Sequence, residues 1–221
     1  MRYLKKYKLF ESVNEQEIHD LCRKYGIVNY TINEDGRIDI KGDVYLSNKG
    51  LTKLPIRFRN VSGDFDCNNN QLTSLEGAPR SVSGYFICNH NQLTSLEGAP
   101  TSVGGGFYCD NNQLTSLEGA PNGVGRHFWC NNNQLTSLEG LEWKSFRNIN
   151  LVNNPVYEVV KDWINNEDRE DLIEYFIDMN VIQQSDKPKL IIPRLEAFYE
   201  EMELEMNIDF EEVKKYYEII E

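Results

Sequence analysis

No apolar run in this 221-residue sequence approaches the length of roughly 20 residues that a helix needs to cross a bilayer. The charged start MRYLKKYKLFESVNEQ lacks the apolar stretch that follows the basic residues of a secretion signal. We therefore expect neither a membrane anchor nor export, and we predict a cytoplasmic location.

Basic residues are also scarce, because 23 lysines and arginines stand against 35 aspartates and glutamates, and the formal net charge is -12. Sequence-independent binding to nucleic acid needs clustered lysine and arginine side chains that neutralise phosphates. The charge balance therefore argues against direct nucleic-acid binding and favours a soluble cytosolic protein, or one whose partner carries basic groups.

Motifs of catalysis are missing as well. The sequence has no phosphate-binding loop, no GxSxG, no HExxH and no convincing CxxC pair. We expect no catalytic residues, no cofactor and no bound metal. An enzyme is left open only if its site is built from residues without a sequence signature.

What the sequence does contain is a repeat with a period of 21 residues. Four near-identical copies read CNNNQLTSLEGAP, CNHNQLTSLEGAP, CDNNQLTSLEGAP and CNNNQLTSLEG, and they begin at Cys67, Cys88, Cys109 and Cys130. Degenerate copies flank them, VYLSNKGLTKLP upstream and INLVNNPV downstream. The array thus covers about 42–157 and contains six strand positions.

Each copy reads apolar-x-Cys-x-x-Asn-x-Leu-x-x-Leu. This unit resembles the leucine-rich repeat, with Phe and Cys in the two strand positions usually held by leucine. Units of this length with Cys at that position look like bacterial and bacteriophage leucine-rich-repeat proteins, and the resemblance covers roughly half of the chain. It implies an inward ladder of asparagine amides that satisfy loop backbone groups, formed by Asn70, Asn91, Asn112, Asn133 and Asn154.

We predict an α/β fold, a leucine-rich-repeat solenoid with a parallel sheet. Alternating Phe65 and Cys67 face inward, and Leu72 and Leu75 close the coil over them. We assign 1–41 to an N-terminal helix and hairpin cap, 42–157 to the solenoid and 158–221 to a C-terminal helical cap. Expected helices cover Glu15–Tyr25, 157–164, 167–179, a stretch after Pro193 and about 209–221. Whether the C-terminal helices pack on the solenoid or swing free stays open.

The cysteine column has a packing explanation. Four cysteines spaced by 21 residues are a candidate set of metal ligands. However, Leu46 and Leu151 occupy the cysteine position in the outer copies of the repeat. Because leucine cannot bind a metal, its exchange with cysteine at this position favours apolar packing as the explanation. The odd total of five cysteines does not suggest a disulfide framework.

Positions that differ between the copies and point outward carry the functional information. They predict an aromatic-rich patch that consists of Tyr85, Ile87, Tyr108, His127 and Trp129 and is bordered by Asp64, Asp66 and Asp110. Exposed Trp and Tyr are enriched at the centres of protein interfaces. Two simpler explanations remain, that a flanking segment covers the patch or that its aromatics only favour strand formation.

Our leading hypothesis is a non-enzymatic recognition module whose strand face binds one protein. The resemblance to bacteriophage proteins adds the expectation that the partner is a bacterial host protein, for example a defence protein that is inhibited. A second hypothesis is that the acidic C-terminal helices mimic nucleic acid, although ten acidic residues between Glu196 and Glu221 are simply explained as a solvated surface. A third is a structural role in a virion through self-association, and the oligomeric state stays open.

Overall fold

The computed structural model describes residues 15–141, 146–165 and 169–221. Its central part is a solenoid of about five coils that repeats every 21 residues, and each coil contributes a short strand to each of two sheets. The two sheets face each other across one apolar core. A single coil cannot bury its apolar side chains alone, so stacked coils share this core.

The first sheet, which we call the Phe sheet, is parallel throughout. It consists of β3 (Val44–Tyr45), β5 (Phe65–Asp66), β7 (Phe86–Ile87), β9 (Phe107–Tyr108), β11 (His127–Trp129) and β12 (Asn148–Asn150). These are the six predicted strand positions. Phe65, Phe86 and Phe107 are fully buried, and successive rings stack with centroids 5.3 and 5.4 Å apart.

The second sheet, which we call the Val sheet, was not predicted. It consists of β1 (Tyr30–Ile32), β2 (Ile38–Ile40), β4 (Phe58–Val61), β6 (Ser81–Val82), β8 (Ser102–Val103) and β10 (Gly123–Val124). Its buried valines meet the phenylalanines of the Phe sheet, and Phe58 packs edge-on against Phe65 at 4.9 Å. Its strands β6, β8 and β10 are two residues long, too short to show an alternating pattern in the sequence.

The N-terminal end matches the predicted helix and hairpin. Helix α1 (Glu15–Tyr25) ends at Gly26, whose φ of 70° lets the Ile27 N–H donate to the Cys22 carbonyl. Strands β1 and β2 form an antiparallel hairpin, and β2 pairs in parallel with β4 of the first repeat coil. The hairpin therefore leads the chain directly into the solenoid.

The C-terminal region contains helices, as predicted, and also a small sheet. The helices are α2 (Tyr157–Val160), α3 (Arg169–Asp178), α4 (Ile192–Glu201) and α5 (Phe210–Val213). The strands are β13 (Ile182–Gln183), β14 (Lys189–Ile191) and β15 (Glu218–Ile220). The prediction of one helix over 209–221 was wrong, because α5 is a single turn and β15 pairs in parallel with β14. Only the first turn of the helix predicted over 157–164 is α-helical.

The C-terminal region packs on the end of the solenoid. The rings of Trp163, Phe176 and Phe198 form a buried cluster with centroids 5.2 to 5.3 Å apart. The Tyr199 hydroxyl donates to the Val159 carbonyl at 3.1 Å and thereby ties α4 to α2. None of the helices in the described ranges combines the length and apolar content needed for a membrane crossing.

Candidate functional site

The outer face of the Phe sheet presents two rows of side chains, because residues at equivalent positions of parallel strands lie in register. Neither row faces the core, which takes the intervening Phe side chains. The first row runs through Tyr45, Asp66, Ile87, Tyr108, Trp129 and Asn150. The second row runs through Asp43, Asp64, Tyr85, Gly106, His127 and Asn148.

An aromatic column crosses this face and consists of Tyr85, Tyr108, His127 and Trp129. The Tyr108 ring lies 5.8 Å from the Tyr85 ring and 4.8 Å from the Trp129 ring, and His127 packs on Trp129 at 5.8 Å. Trp129 is 41% exposed and the other three are half-buried. Each ring thus holds its neighbour in position, while the outer edges of the rings stay accessible to solvent.

Gly106 makes room for this arrangement. A Cβ at that position would lie 3.1 Å from the Tyr108 ring, so a larger side chain would displace the ring from its place in the column. Arg126 also reaches across the face, and its Nη1 donates to the Tyr85 hydroxyl at 3.1 Å. Burial raises the pKa of Tyr108, so its hydroxyl stays neutral and available for hydrogen bonding.

A carboxylate cluster formed by Asp43, Asp64 and Asp66 occupies the N-terminal end of the same face. Oδ1 of Asp43 accepts the Asp64 backbone N–H at 2.8 Å, and Oδ1 of Asp64 accepts the Tyr85 N–H at 2.7 Å. The Tyr45 hydroxyl donates to Oδ2 of Asp43 at 3.1 Å. Burial, with a smaller contribution from Asp64, raises the pKa of the Asp66 carboxyl.

Asp64 and Asp66, which were predicted to border the patch, are half-buried on the outer face of the Phe sheet. Asp110 differs, because it is only 8% exposed. Its Oδ2 accepts hydrogen bonds from the side chains of Asn111 at 2.6 Å and Asn89 at 3.4 Å. The expectation that Asp110 points outward is therefore wrong, since it lies after the strand, where the chain turns and the carboxylate is covered by neighbouring amides.

Tyr45 and Asp43, the first residues of the two rows, were not included in the predicted patch. Tyr45 is 59% exposed, more than any aromatic in the predicted patch. Both belong to the degenerate first copy, where Val44 replaces the phenylalanine of the regular copies. The signal that could have found them is their register, 21 residues before Asp66 and Asp64.

The asparagine side chains at the turn after each strand bridge neighbouring coils. Oδ1 of Asn91 accepts the Leu72 N–H at 2.9 Å, while its Nδ2 donates to the carbonyls of Cys67 and Cys88 at 3.1 Å. The same acceptor and donor pattern recurs at Asn70, Asn112, Asn133 and Asn154. Buried backbone groups are thereby satisfied, and the role of these residues is structural.

The residue before each bridging asparagine has a left-handed backbone, which the sequence analysis missed. The φ values lie between 50° and 59° at Asn69, His90, Asn111, Asn132 and Asn153, and Asn48, which precedes Lys49 in the first copy, has the same conformation. Apart from glycine, asparagine is the residue that tolerates this conformation best. The recurrence of asparagine at this position of the repeat could have indicated the left-handed backbone from the sequence. His90 is exposed there.

The cysteine column lies in the core. Cys67, Cys88, Cys109 and Cys130 are free thiols with no exposed surface. Burial raises the pKa of Cys67, Cys88 and Cys109, so these thiols stay protonated at neutral pH. They fill the position that Leu46 occupies in the first coil, as expected for a packing role.

The acidic residues between Glu196 and Glu221 are almost all exposed, and two of them pair with lysines. Lys214 pairs with Glu211 at 2.8 Å, and Lys215 pairs with Glu212. The outer face of the Phe sheet brings exposed aromatic rings and carboxylates together, as in the hydrogen bond from the Tyr45 hydroxyl to Asp43. Comparisons with models of protein families, with curated proteins and with solved structures found no match.

Proposed function

We propose that this chain is a leucine-rich-repeat recognition module that binds a protein partner through the outer face of the Phe sheet and catalyses no reaction. The observation that carries the proposal is the aromatic column, in which the rings of Tyr85, Tyr108 and Trp129 contact one another across three adjacent coils. Rings that are already held by their neighbours lose little side-chain entropy when a partner covers them. Tyr and Trp are also the residue types that dominate binding energy at protein interfaces.

The repeat unit supports the leucine-rich-repeat assignment. Its two strand positions, its leucines and its asparagine occupy the places that the consensus gives them, with the asparagine amide bonded to two coils. In such an architecture the coils provide a rigid scaffold, and the varied outward positions provide specificity. The resemblance of these short units to bacteriophage proteins leads us to propose a cytoplasmic bacterial host protein as the partner, whose activity the chain modulates or inhibits.

The test is affinity capture from bacterial lysate, followed by titration of the purified captured protein. The wild-type chain is compared with the double variant Tyr108→Ala/Trp129→Ala and with the control Val28→Ala/Tyr216→Ala. The control also removes two exposed apolar side chains, but Val28 and Tyr216 lie outside the Phe sheet. We expect the Tyr108/Trp129 variant to bind about 1000-fold more weakly, since each hot-spot residue contributes about 2 kcal/mol or more and each 1.4 kcal/mol is tenfold in affinity.

A captured protein that keeps its affinity for the Tyr108/Trp129 variant would contradict the proposed face. A third variant, Glu196→Gln/Glu200→Gln/Glu205→Gln, separates the alternative in which the acidic C-terminal region carries the activity. These three side chains are exposed, so their neutralisation leaves the core intact. Deletion of the C-terminal helices is unsuitable because it removes the buried side chains of Phe198 and Tyr217. Loss of capture by the glutamine variant alone assigns the function to that region.

A further inference from the structure

The outer face of the Phe sheet is polarised along the solenoid. Its first two coils carry the carboxylate cluster, while the aromatic column occupies the later coils. Within residues 15–141, 146–165 and 169–221, no lysine, arginine or histidine forms an ion pair with Asp43, Asp64 or Asp66. Three neighbouring carboxylates without an internal counter-ion repel one another, and a cationic group placed between them removes that repulsion.

The exposed ring of Tyr45 adds a second attraction for a cation at the same end. Its hydroxyl is tied to Asp43, which holds the ring beside the three carboxylates. An ammonium or guanidinium group over such a ring gains about 0.5 to 1 kcal/mol at an exposed site. At the other end, Arg126 donates to the Tyr85 hydroxyl, so the basic group on this part of the face already has a partner. The end of the face with the carboxylate cluster therefore favours a basic side chain of a partner, whereas the end with the aromatic column favours an apolar one.

The register of the Phe sheet sets the distance between the two ends. Tyr45, Asp66, Ile87, Tyr108 and Trp129 are successive partners across β3, β5, β7, β9 and β11. Four steps of about 4.8 Å each give roughly 19 Å between the first and the last. An extended segment covers this distance in about six residues, at about 3.3 Å per residue.

We infer, on the basis of the proposed function, that the face takes an extended protein segment that lies along the solenoid axis. An arginine or lysine of this segment sits over the carboxylate cluster, and a large apolar side chain about six residues away packs on Trp129. The charge at one end and the rings at the other make recognition directional, because a reversed segment places its cation beside Arg126. The segment belongs to a protein rather than to a nucleic acid, whose phosphates the carboxylates repel.

The test is selection of a displayed library of random 12-residue peptides on the wild-type chain, with counter-selection on Tyr108→Ala/Trp129→Ala. We expect the enriched peptides to share a basic residue and a large apolar residue about six positions apart. The affinity of a synthetic copy of the most enriched peptide is then measured by fluorescence anisotropy. It should fall at least about 10-fold for Asp43→Asn/Asp64→Asn/Asp66→Asn, in which the Oδ1 acceptors for the backbone N–H groups are kept.

The matched control is Glu76→Gln/Glu97→Gln/Glu118→Gln, which removes the same number of negative charges from exposed positions outside the Phe sheet. The peptide should bind this control within about 2-fold of the wild type, because distant surface charges are screened. Equal losses for both triple variants overturn the inference, and so do enriched peptides without a basic residue or the failure to enrich any peptide. Self-association that the asparagine substitutions abolish also overturns it, since the occupant is then a second copy of the chain.

Different experimental results would contradict the proposed recognition face and the proposed cationic segment. If the captured protein partner depends on Tyr108 and Trp129 but binds the asparagine variant normally, the recognition face stands and the cationic segment is wrong. If the partner is insensitive to Tyr108 and Trp129, the proposed face itself fails.

Discussion

The hydroxyl of Tyr217 donates a hydrogen bond to the backbone carbonyl of Thr136 at 2.8 Å, across 81 positions of the sequence. Tyr217 is 1% exposed, and burial raises the pKa of its hydroxyl, so the phenol remains a donor over the whole neutral range. The contact joins the C-terminal region to the last regular coil. Solenoids need their end coils covered, because the apolar interior would otherwise meet water, and this region provides the cover.

Substitution Tyr217→Phe should lower the free energy of unfolding by about 1 kcal/mol, because the partly buried Thr136 carbonyl loses its donor while the ring still packs. Urea unfolding followed by circular dichroism measures the difference. Tyr216→Phe is the control, since Tyr216 is 40% exposed, and it should change the stability by less than about 0.5 kcal/mol. Equal losses for the two variants would show that the hydrogen bond contributes nothing.

The bridging amide of Asn112 predicts a larger effect. Asn112→Ala leaves the Leu93 N–H without its acceptor and takes a donor from the carbonyls of Cys88 and Cys109. Because these groups are buried, we expect a loss of about 3 kcal/mol in the free energy of unfolding. Gln113→Ala changes the exposed neighbour and should cost less than about 0.5 kcal/mol. A ladder of no structural importance would show the same small loss at both positions.

The period and the inward positions of the coil could be predicted from the sequence because four copies repeat them. The Val sheet could not, since a strand such as Ser102–Val103 is too short to show a pattern. Its existence depends on pairing with the coils on either side, which is a tertiary effect. The strand Glu218–Ile220 was missed for the same reason, because partners on β14 decide its conformation.

The rows of the candidate site could be predicted because register follows from the period, but side-chain direction at the ends of strands could not. Asp110 lies one position beyond its inward cysteine, where alternation indicates an outward side chain. The chain turns at Asn111, with φ of 55°, and the carboxylate folds onto the turn amides instead. Local geometry of the turn, rather than strand alternation, decides this position.

The close stacking of the coils at glycine positions gives a third prediction. A Cβ on Gly125 would lie 2.0 Å from the Gly104 carbonyl oxygen, whereas a Cβ on Gly123 meets no atom within 4 Å. Gly125→Ala should therefore force neighbouring coils apart and lower the stability by about 2 to 3 kcal/mol. Gly123→Ala, two positions earlier on the same coil, should be neutral or slightly stabilising. Thermal unfolding of both variants measures the contrast, and similar melting temperatures would argue against close packing at Gly125.

The buried thiols predict how stability depends on pH. Burial raises the pKa of Cys88 and Cys109 in the native protein, whereas thiols of the unfolded chain ionise near pH 8.5. Below that pH both states carry the proton, so the thiols contribute no pH dependence. Above it the unfolded state releases protons that the native state retains, and stability falls by about 1.4 kcal/mol per pH unit for each such thiol.

Urea unfolding between pH 7 and pH 10 measures this slope, and Cys109→Ala should reduce it by about 1.4 kcal/mol per pH unit because one buried thiol no longer titrates. Leu114→Ala is the control, since it also truncates a fully buried side chain but removes no proton. It should lower the stability at every pH by about 2 to 5 kcal/mol and leave the slope unchanged. An unchanged slope in the Cys109 variant would mean that water reaches the thiol in the native state, and the cysteine column would then not be the dry packing element that its burial indicates.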